Sequence, residues 1–368
     1  MIGRALVVDA RMLHGSGIGR YVRELVPRIM NGGAFDSLHL AGDPAELAPW
    51  IARHVPGARM LALPYGRYDW RAQVAWMALR RELPGGRRVT WFPHFDAPVV
   101  AMPAPSVVTV HDLIPLMQGG TAGTVKRTMM RAVVQRVTRA AARVITVSDE
   151  TRRLLVDGDA SLASRIRVIP NGGAELADGP ASALPAEVRT PFLLCVANRK
   201  PHKNLVRAVE VLAALVASHP AFTLVVAGEW FASWEVVERR ADALGVSARI
   251  IDVGRVDDTV LRALYANCAA FLAPALMEGF GIPVVEAMAC GAPVIAADLP
   301  WAHALGGEAI GYADAHRTDA WIGALVPLLD QSTVRDTATG RGRARARGFT
   351  WDAAAHATAQ LLREVADA

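Results

Sequence analysis

No uninterrupted apolar run in this sequence reaches the ~18 residues that a membrane-crossing helix needs, so no spanning helix is expected. The opening residues do not join a basic segment to an apolar one as a secretory leader would. Ala5 to Val8 read as a strand instead, and a cytoplasmic chain is expected. Cysteine is scarce. Cys195, Cys268 and Cys290 each sit in an apolar strand or helix context. An odd count without metal-ligand spacing points to reduced core thiols, not to a disulfide frame or a zinc site. The one Asp-x-Asp, Asp157-Gly158-Asp159, follows a helix in a turn, whereas a metal-binding pair should end a strand at a cleft. No metal and no cofactor are therefore expected. No nucleic-acid recognition motif accompanies the basic charge, so nucleic acid is not an expected partner.

What the chain has in quantity is apolar surface and length. About half of its 368 residues are hydrophobic, enough for large cores, and the length favours two domains. The net charge of +5 is unevenly spread: residues 1–174 carry +10 and residues 175–368 carry −5. A basic first half attracts an anionic substrate or an anionic membrane surface, or it is a solvated arginine-rich surface.

The densest pattern lies late in the chain. Ala269 to Leu272 read as a buried strand, followed by Glu278-Gly279-Phe280-Gly281-Ile282-Pro283 and a helix through Cys290 that Gly291 stops. Pro283 suits a first helical turn, where its missing N–H has no partner in any case. Strand, glycine loop and helix start together present free N–H groups and a partial positive charge to a phosphate or a sugar hydroxyl. Glu278 and Glu286 flank that start, and carboxylates accept from the paired hydroxyls of a ribose or a hexose. A tight turn with two capping acids is the plainer reading of the same letters.

Earlier segments carry further polar groups at strand ends. Ala5 to Asp9 lead into Gly15-Ser16-Gly17-Ile18-Gly19-Arg20-Tyr21 and an amphipathic helix. These glycines start too far beyond the strand for a dinucleotide fingerprint. His94 and His111 follow two further strands, Val89 to Phe92 and Ser106 to Val110, at the end where open α/β sheets bind ligands. Phe192 to Ala197 form a strand before Arg199-Lys200-Pro201-His202-Lys203, whose Arg199 and Lys203, four apart, can clamp a diphosphate. Between Tyr65 and Arg88 lie Trp70, Trp76 and six arginines. That mixture suits a protein–headgroup interface, and equally a surface helix with both Trp packed inward. Lys126 to Arg143 read as one long basic helix.

The run from Pro274 through Glu278-Gly-Phe-Gly-Ile-Pro-Val-Val-Glu286 to Ile295 resembles the Glu-x7-Glu motif of retaining family 4 glycosyltransferases, which have the GT-B fold. The sequence departs from that pattern at Ala275, where a serine is common. Gly17-Ile-Gly19-Arg-Tyr, His111-Asp-Leu and the Arg199/Lys203 segment resemble the family in the same order along the chain. The resemblance implies an α/β chain of two Rossmann-like domains facing across a cleft. The expected domains are an acceptor-side domain over 1–174, a linker over 175–190 and a nucleotide-sugar domain over 191–350. A terminal helix over 351–368 is expected to return to the first domain. It further implies a nucleotide-sugar donor held by Gly17, Gly19, Arg255, Val256, Gly279, Phe280, Gly281, Ile282 and Glu286. The catalytic roles fall to His111, Glu278, Arg199 and Lys203. The implied reaction moves a hexose, mannose-like favoured, to a glycan or lipid-linked acceptor. A nucleotide-sugar epimerase and a non-catalytic nucleotide-sugar sensor are the alternatives.

Overall fold

The computed structural model describes residues 3–15, 17–117, 123–231 and 233–368. The chain forms two compact units, Met1–Asn171 with Trp351–Ala368, and Gly172–Thr350.

The first unit is built on seven parallel strands: β1 (Ala5–Asp9), β2 (Ser37–Gly42), β3 (Arg59–Ala62), β4 (Arg88–Phe92), β5 (Ser106–Val110), β6 (Arg143–Thr146) and β7 (Ile166–Val168). Their order is β3-β2-β1-β4-β5-β6-β7. Helices α1 (Gly17–Asn31), α2 (Pro44–His54), α3 (Trp70–Leu79), α4 (Thr124–Ala140) and α5 (Asp149–Gly158) connect them. β1, β4 and β5 are buried along nearly their whole length, as strands covered on both faces must be, and read as continuous apolar runs. The expected basic helix is shorter than the sequence suggests. It ends at Ala140, and Arg143 instead opens β6, because Val144 and Ile145 continue a buried strand.

The second unit has six parallel strands: β8 (Phe192–Val196), β9 (Thr223–Ala227), β10 (Ile250–Gly254), β11 (Ala270–Ala273), β12 (Val294–Ala297) and β13 (Gly311–Ala313). Their order is β10-β9-β8-β11-β12-β13. Its helices are α6 (Leu205–Leu215), α7 (Trp234–Ala243), α8 (Asp258–Asn267), α9 (Ile282–Cys290), α10 (Pro300–Gly306), α11 (Thr318–Asp330) and α12 (Ser332–Ala346). Alternation along β8 divides its core: Phe192 and Leu194 face α8 and α9, whereas Leu193 and Cys195 face α6 and α11. The stretch read as a linker belongs to this unit, with Leu176 and Val188 in its core. All three cysteines are buried free thiols, and burial pushes those of Cys268 and Cys290 up to about 12.

Helix α13 (Trp351–Asp367) packs on α1 and on β4 and β5 of the first unit.

In each sheet the strand order reverses once, between β1 and β4 and between β8 and β11. Adjacent connections leave to opposite faces there and open a crevice at the carboxyl ends of the strands. The polar groups of interest lie at these two places and, for His111, at the end of the neighbouring β5.

Candidate active site

In the second unit the crevice is lined by the ends of β8 and β11, at Ala197 and Ala273, together with Lys203, Glu278, Gly281 and Pro283. Lys203 reaches it because Pro201–Lys203 form a single 3-10 turn ended by Asn204, which takes a left-handed conformation with φ 53°. Lys203 Nζ donates to Glu278 Oε1 at 2.5 Å, and both side chains are about six-sevenths buried. An ammonium has three hydrogens and a carboxylate about four acceptor sites, so each keeps capacity for a ligand.

Gly281 starts α9 in a left-handed conformation, with φ 96°. A Cβ there would lie 3.2 Å from Leu305 and 3.4 Å from Trp301, so the loop can turn only with glycine. Pro283 has no N–H and that of Val284 is taken by Gly281 O at 2.9 Å, which leaves the amide of Ile282 at the helix start. Phe280 packs edge-on against Phe349, with ring centres 5.7 Å apart.

Two expected ligands lie elsewhere. Arg199 is not beside Lys203: its guanidinium points inward to Asp252, donates to Gly228 O at 2.5 Å and stacks on Trp234 at 4.8 Å. Its side chain has no exposed surface. A buried guanidinium must be paired, and Asp252 within β10 supplies that pairing. Glu286 is also interior, on the covered side of α9, where Tyr265 Oη donates to its Oε2 at 3.1 Å. Gly173 passes beside it; a Cβ there would lie 3.5 Å from Glu286 Cγ. Arg255 is exposed and Val256 packs at the core edge, just after the turn at Gly254.

In the first unit, His111 follows β5 directly. Its Nε2 meets Pro93 O at 2.9 Å, so the neutral ring carries its proton there. Nδ1, as an acceptor, has no hydrogen bond among the described residues. Tyr21, fully buried on α1, sets the ring from the side at 4.7 Å. Burial pulls the imidazole down to about 4, so it is neutral near pH 7. Gly19 is needed for close approach: a Cβ would meet the carbonyls of Met12 and Leu13 at 2.7 Å. Gly17 is exposed, with open space around it.

Of the groups at the β1/β4 reversal, sequence reasoning singled out His94 and missed the pairing of Arg11 with Asp9 and Asp96. Arg11 is buried in a bidentate pair with Asp9 (3.0 and 2.7 Å) and donates to Asp96 O at 2.6 Å. The Asp96 amide in turn donates to His94 Nδ1 at 3.0 Å, which fixes that ring with Nε2 as the protonated nitrogen. Burial holds His94 well below the usual histidine range. The signal was present as an acid at a strand end two residues before an arginine. Asp159, the second acid of the Asp-x-Asp, pairs with Arg139 at 2.6 Å and accepts from Ser161 in a turn.

Two family models match this chain. "Glycosyltransferase Family 4" matches residues 15–172 and "Glycosyl transferases group 1" matches residues 182–305, together most of the sequence. The chain belongs to the family 4 glycosyltransferases. Over 168 residues it is 31% identical to the O-antigen chain mannosyltransferase B of Escherichia coli, which is 44% of this chain and 42% of that one. It is 26% identical to the D-inositol 3-phosphate glycosyltransferase of Rhodococcus erythropolis, over 92% of this chain and 77% of that protein. Among solved structures, HepE of Anabaena in complex with UDP-glucose superposes with a TM-score of 0.78 at 17% identity, covering 98% of this chain and 100% of that one. The two parallel-sheet units of this family 4 glycosyltransferase thus have the GT-B fold. No helix among the described residues is long and apolar enough to cross a membrane.

Proposed function

We propose that this glycosyltransferase moves a hexose, mannose-like favoured, from a nucleotide-diphosphate sugar to a hydroxyl of a glycan or lipid-linked glycan in surface polysaccharide assembly. Transfer retains the anomeric configuration, needs no metal ion, and takes place at the inner face of the membrane. The observation that carries the reading is the Lys203–Glu278 pair beside the start of α9, at the strand reversal of the second unit. It sets a cation and a helix start, which suit a diphosphate, next to a carboxylate, which suits a sugar hydroxyl.

In this reading Lys203 and the Ile282 amide neutralise the leaving diphosphate as its charge grows. Glu278 holds a hexose hydroxyl, and the interior Glu286 supports α9 from its covered side through Tyr265. Phe280 and the Gly279–Gly281 loop shape the sugar's surroundings, and the Gly254-Arg255-Val256 backbone takes the base. The bond from the anomeric carbon to phosphate breaks as the bond to the acceptor oxygen forms on the same face. The acceptor's proton passes to the leaving phosphate. Neutral His111, with His94 beside Pro93, orients the acceptor hydroxyl. Arg199 holds the ends of β8, β9 and β10 in place instead of touching the diphosphate. The names of the Escherichia coli mannosyltransferase and the UDP-glucose complex of HepE support the donor and acceptor classes.

The test is incubation with UDP- and GDP-sugars in the presence of a chelator, with and without a glycan acceptor. Acceptor-dependent release of nucleoside diphosphate, with a product of unchanged anomeric configuration, is expected. Donor conversion without acceptor identifies an epimerase, and binding without turnover identifies a sensor. A strict need for Mg2+ or Mn2+ contradicts the metal-free route.

A further inference from the structure

Helix α3 carries two apolar stripes where a surface helix needs one. Ala72, Trp76 and Leu79 are buried against the first sheet. On the opposite side, at the same i, i+4, i+7 spacing, stand Trp70, 72% exposed, and Val74 and Met77, each at least half exposed. The two tryptophans that the sequence leaves undecided are therefore split, one inward and one outward. Helix α4 repeats the arrangement. Val134 and Val137 face inward, and Val125, 76% exposed, and Met129 face solvent.

These outward residues share one side of the unit. Trp76, Leu79, Val134 and Val137 belong to one core cluster. The loop between β4 and β5 ties the two helices together: Val99 N donates to Gln73 of α3 at 2.7 Å, and Arg136 of α4 donates to Val99 O at 3.1 Å. Val100, the next residue, is itself more than half exposed. The charge on this side is mostly positive, its acids near α3 being Glu82 and Asp69, the latter paired with Arg71. Helix α4 has no acidic residue in its 17 positions. Among the described residues Arg80, Arg81, Lys126 and Arg131 are exposed and make no ion pair.

We propose that this side of the first unit docks reversibly on an anionic lipid bilayer. Trp70, Val74, Met77, Val125 and Met129 enter the headgroup region, and the unpaired basic residues meet lipid phosphates. Isolated exposed apolar residues need no explanation, but two helix stripes joined by a loop and bordered by unpaired cations match the chemistry of an anionic interface. The role rests on the reading of a membrane-borne acceptor. The docking itself stands on this surface and is measured apart from transfer.

The experiment is co-sedimentation of the full chain with phosphatidylglycerol-containing vesicles and with pure phosphatidylcholine vesicles, at low and high salt. Binding to the anionic vesicles that falls with salt is expected. Two variants, R80E/R81E and W70S/M77S, should each lower partitioning by about tenfold or more. Every substituted side chain is exposed, so hydrogen-exchange protection of β1, β4 and β5 should be unchanged and reports a folded first unit. Equal binding to both vesicle types, or none, overturns the proposal. So does concentration-dependent self-association abolished by W70S/M77S, which would make this face a contact between copies. Loss of transfer with docking intact counts against the transferase reading alone.

Discussion

Lys203 and Arg199 are four residues apart and point to different places, so their substitution should separate two properties. Lys203→Ala removes a charge-assisted contact and should weaken nucleoside diphosphate binding by about 1.5–3 kcal/mol, roughly ten- to a hundredfold, read by calorimetric titration. Unchanged affinity removes Lys203 from the site. Arg199→Ala should instead lower stability by about 2–3 kcal/mol, less than for a fully buried pair because Asp252 is one-third exposed. Nothing local in the sequence announces this difference, since Asp252 lies 53 residues beyond Arg199. Three histidines give a pH signature. Burial lowers His111 and His202 to about 4 and holds His94 well below its ordinary 6.5. The unfolded chain takes up these protons below pH 6.5 while the folded chain does not. Stability should therefore be unaffected by these rings above that pH and fall as pH drops from 6.5 toward 4, by up to about 1.4 kcal/mol per unit for each ring. Urea midpoints across that range test it, and His202→Gln should flatten part of the slope.

At the scale of elements, the strand, loop and helix from Ala270 to Cys290 were readable because glycine and proline mark both helix ends. Helix α12 was not. It has no apolar stripe, and it is held by polar contacts that hydropathy cannot reveal. Arg335 donates to Ala269 O at 2.9 Å, Arg345 to Leu305 O at 2.8 Å and Thr339 to Gly291 O at 3.1 Å, while Gly342 lies against Met288. Strands β3 and β13, of four and three residues, are too short to show alternation. A close approach between strands was equally invisible. Gly228 follows β9 with φ 135°, its N–H donates to Gly254 O at 2.7 Å, and a Cβ would run into the Ala197 carbonyl. Gly228→Ala should cost at least about 2 kcal/mol from backbone strain and that collision, seen as a lower denaturation midpoint. A midpoint equal to that of the parent would mean the β8–β9 end gives way freely.

For the whole molecule, the first unit is completed by the segment furthest from it in sequence. The chain leaves that unit after Asn171 and re-enters it at Trp351. Helix α13 buries Trp351, Leu361, Leu362 and Val365 there, and Trp351 meets Tyr21, the residue that sets the His111 ring. Its polar side pairs Asp367 with Arg4 and Asp352 with Arg28, each at 2.8 Å. Exposed ion pairs of this kind contribute little, so the apolar residues carry the attachment. Four large side chains at about 1.5–3 kcal/mol each amount to a sum comparable with the whole stability of a domain, about 5–15 kcal/mol. A chain ending at Thr350 should therefore lose the first unit's native packing and keep the second's. Amide hydrogen exchange read by mass spectrometry should show β1, β4 and β5 stripped of protection, with β8, β9 and β11 protected as before and nucleoside diphosphate binding retained. Full protection of β4 and β5 in the shortened chain would show that α13 only covers a unit already able to stand alone.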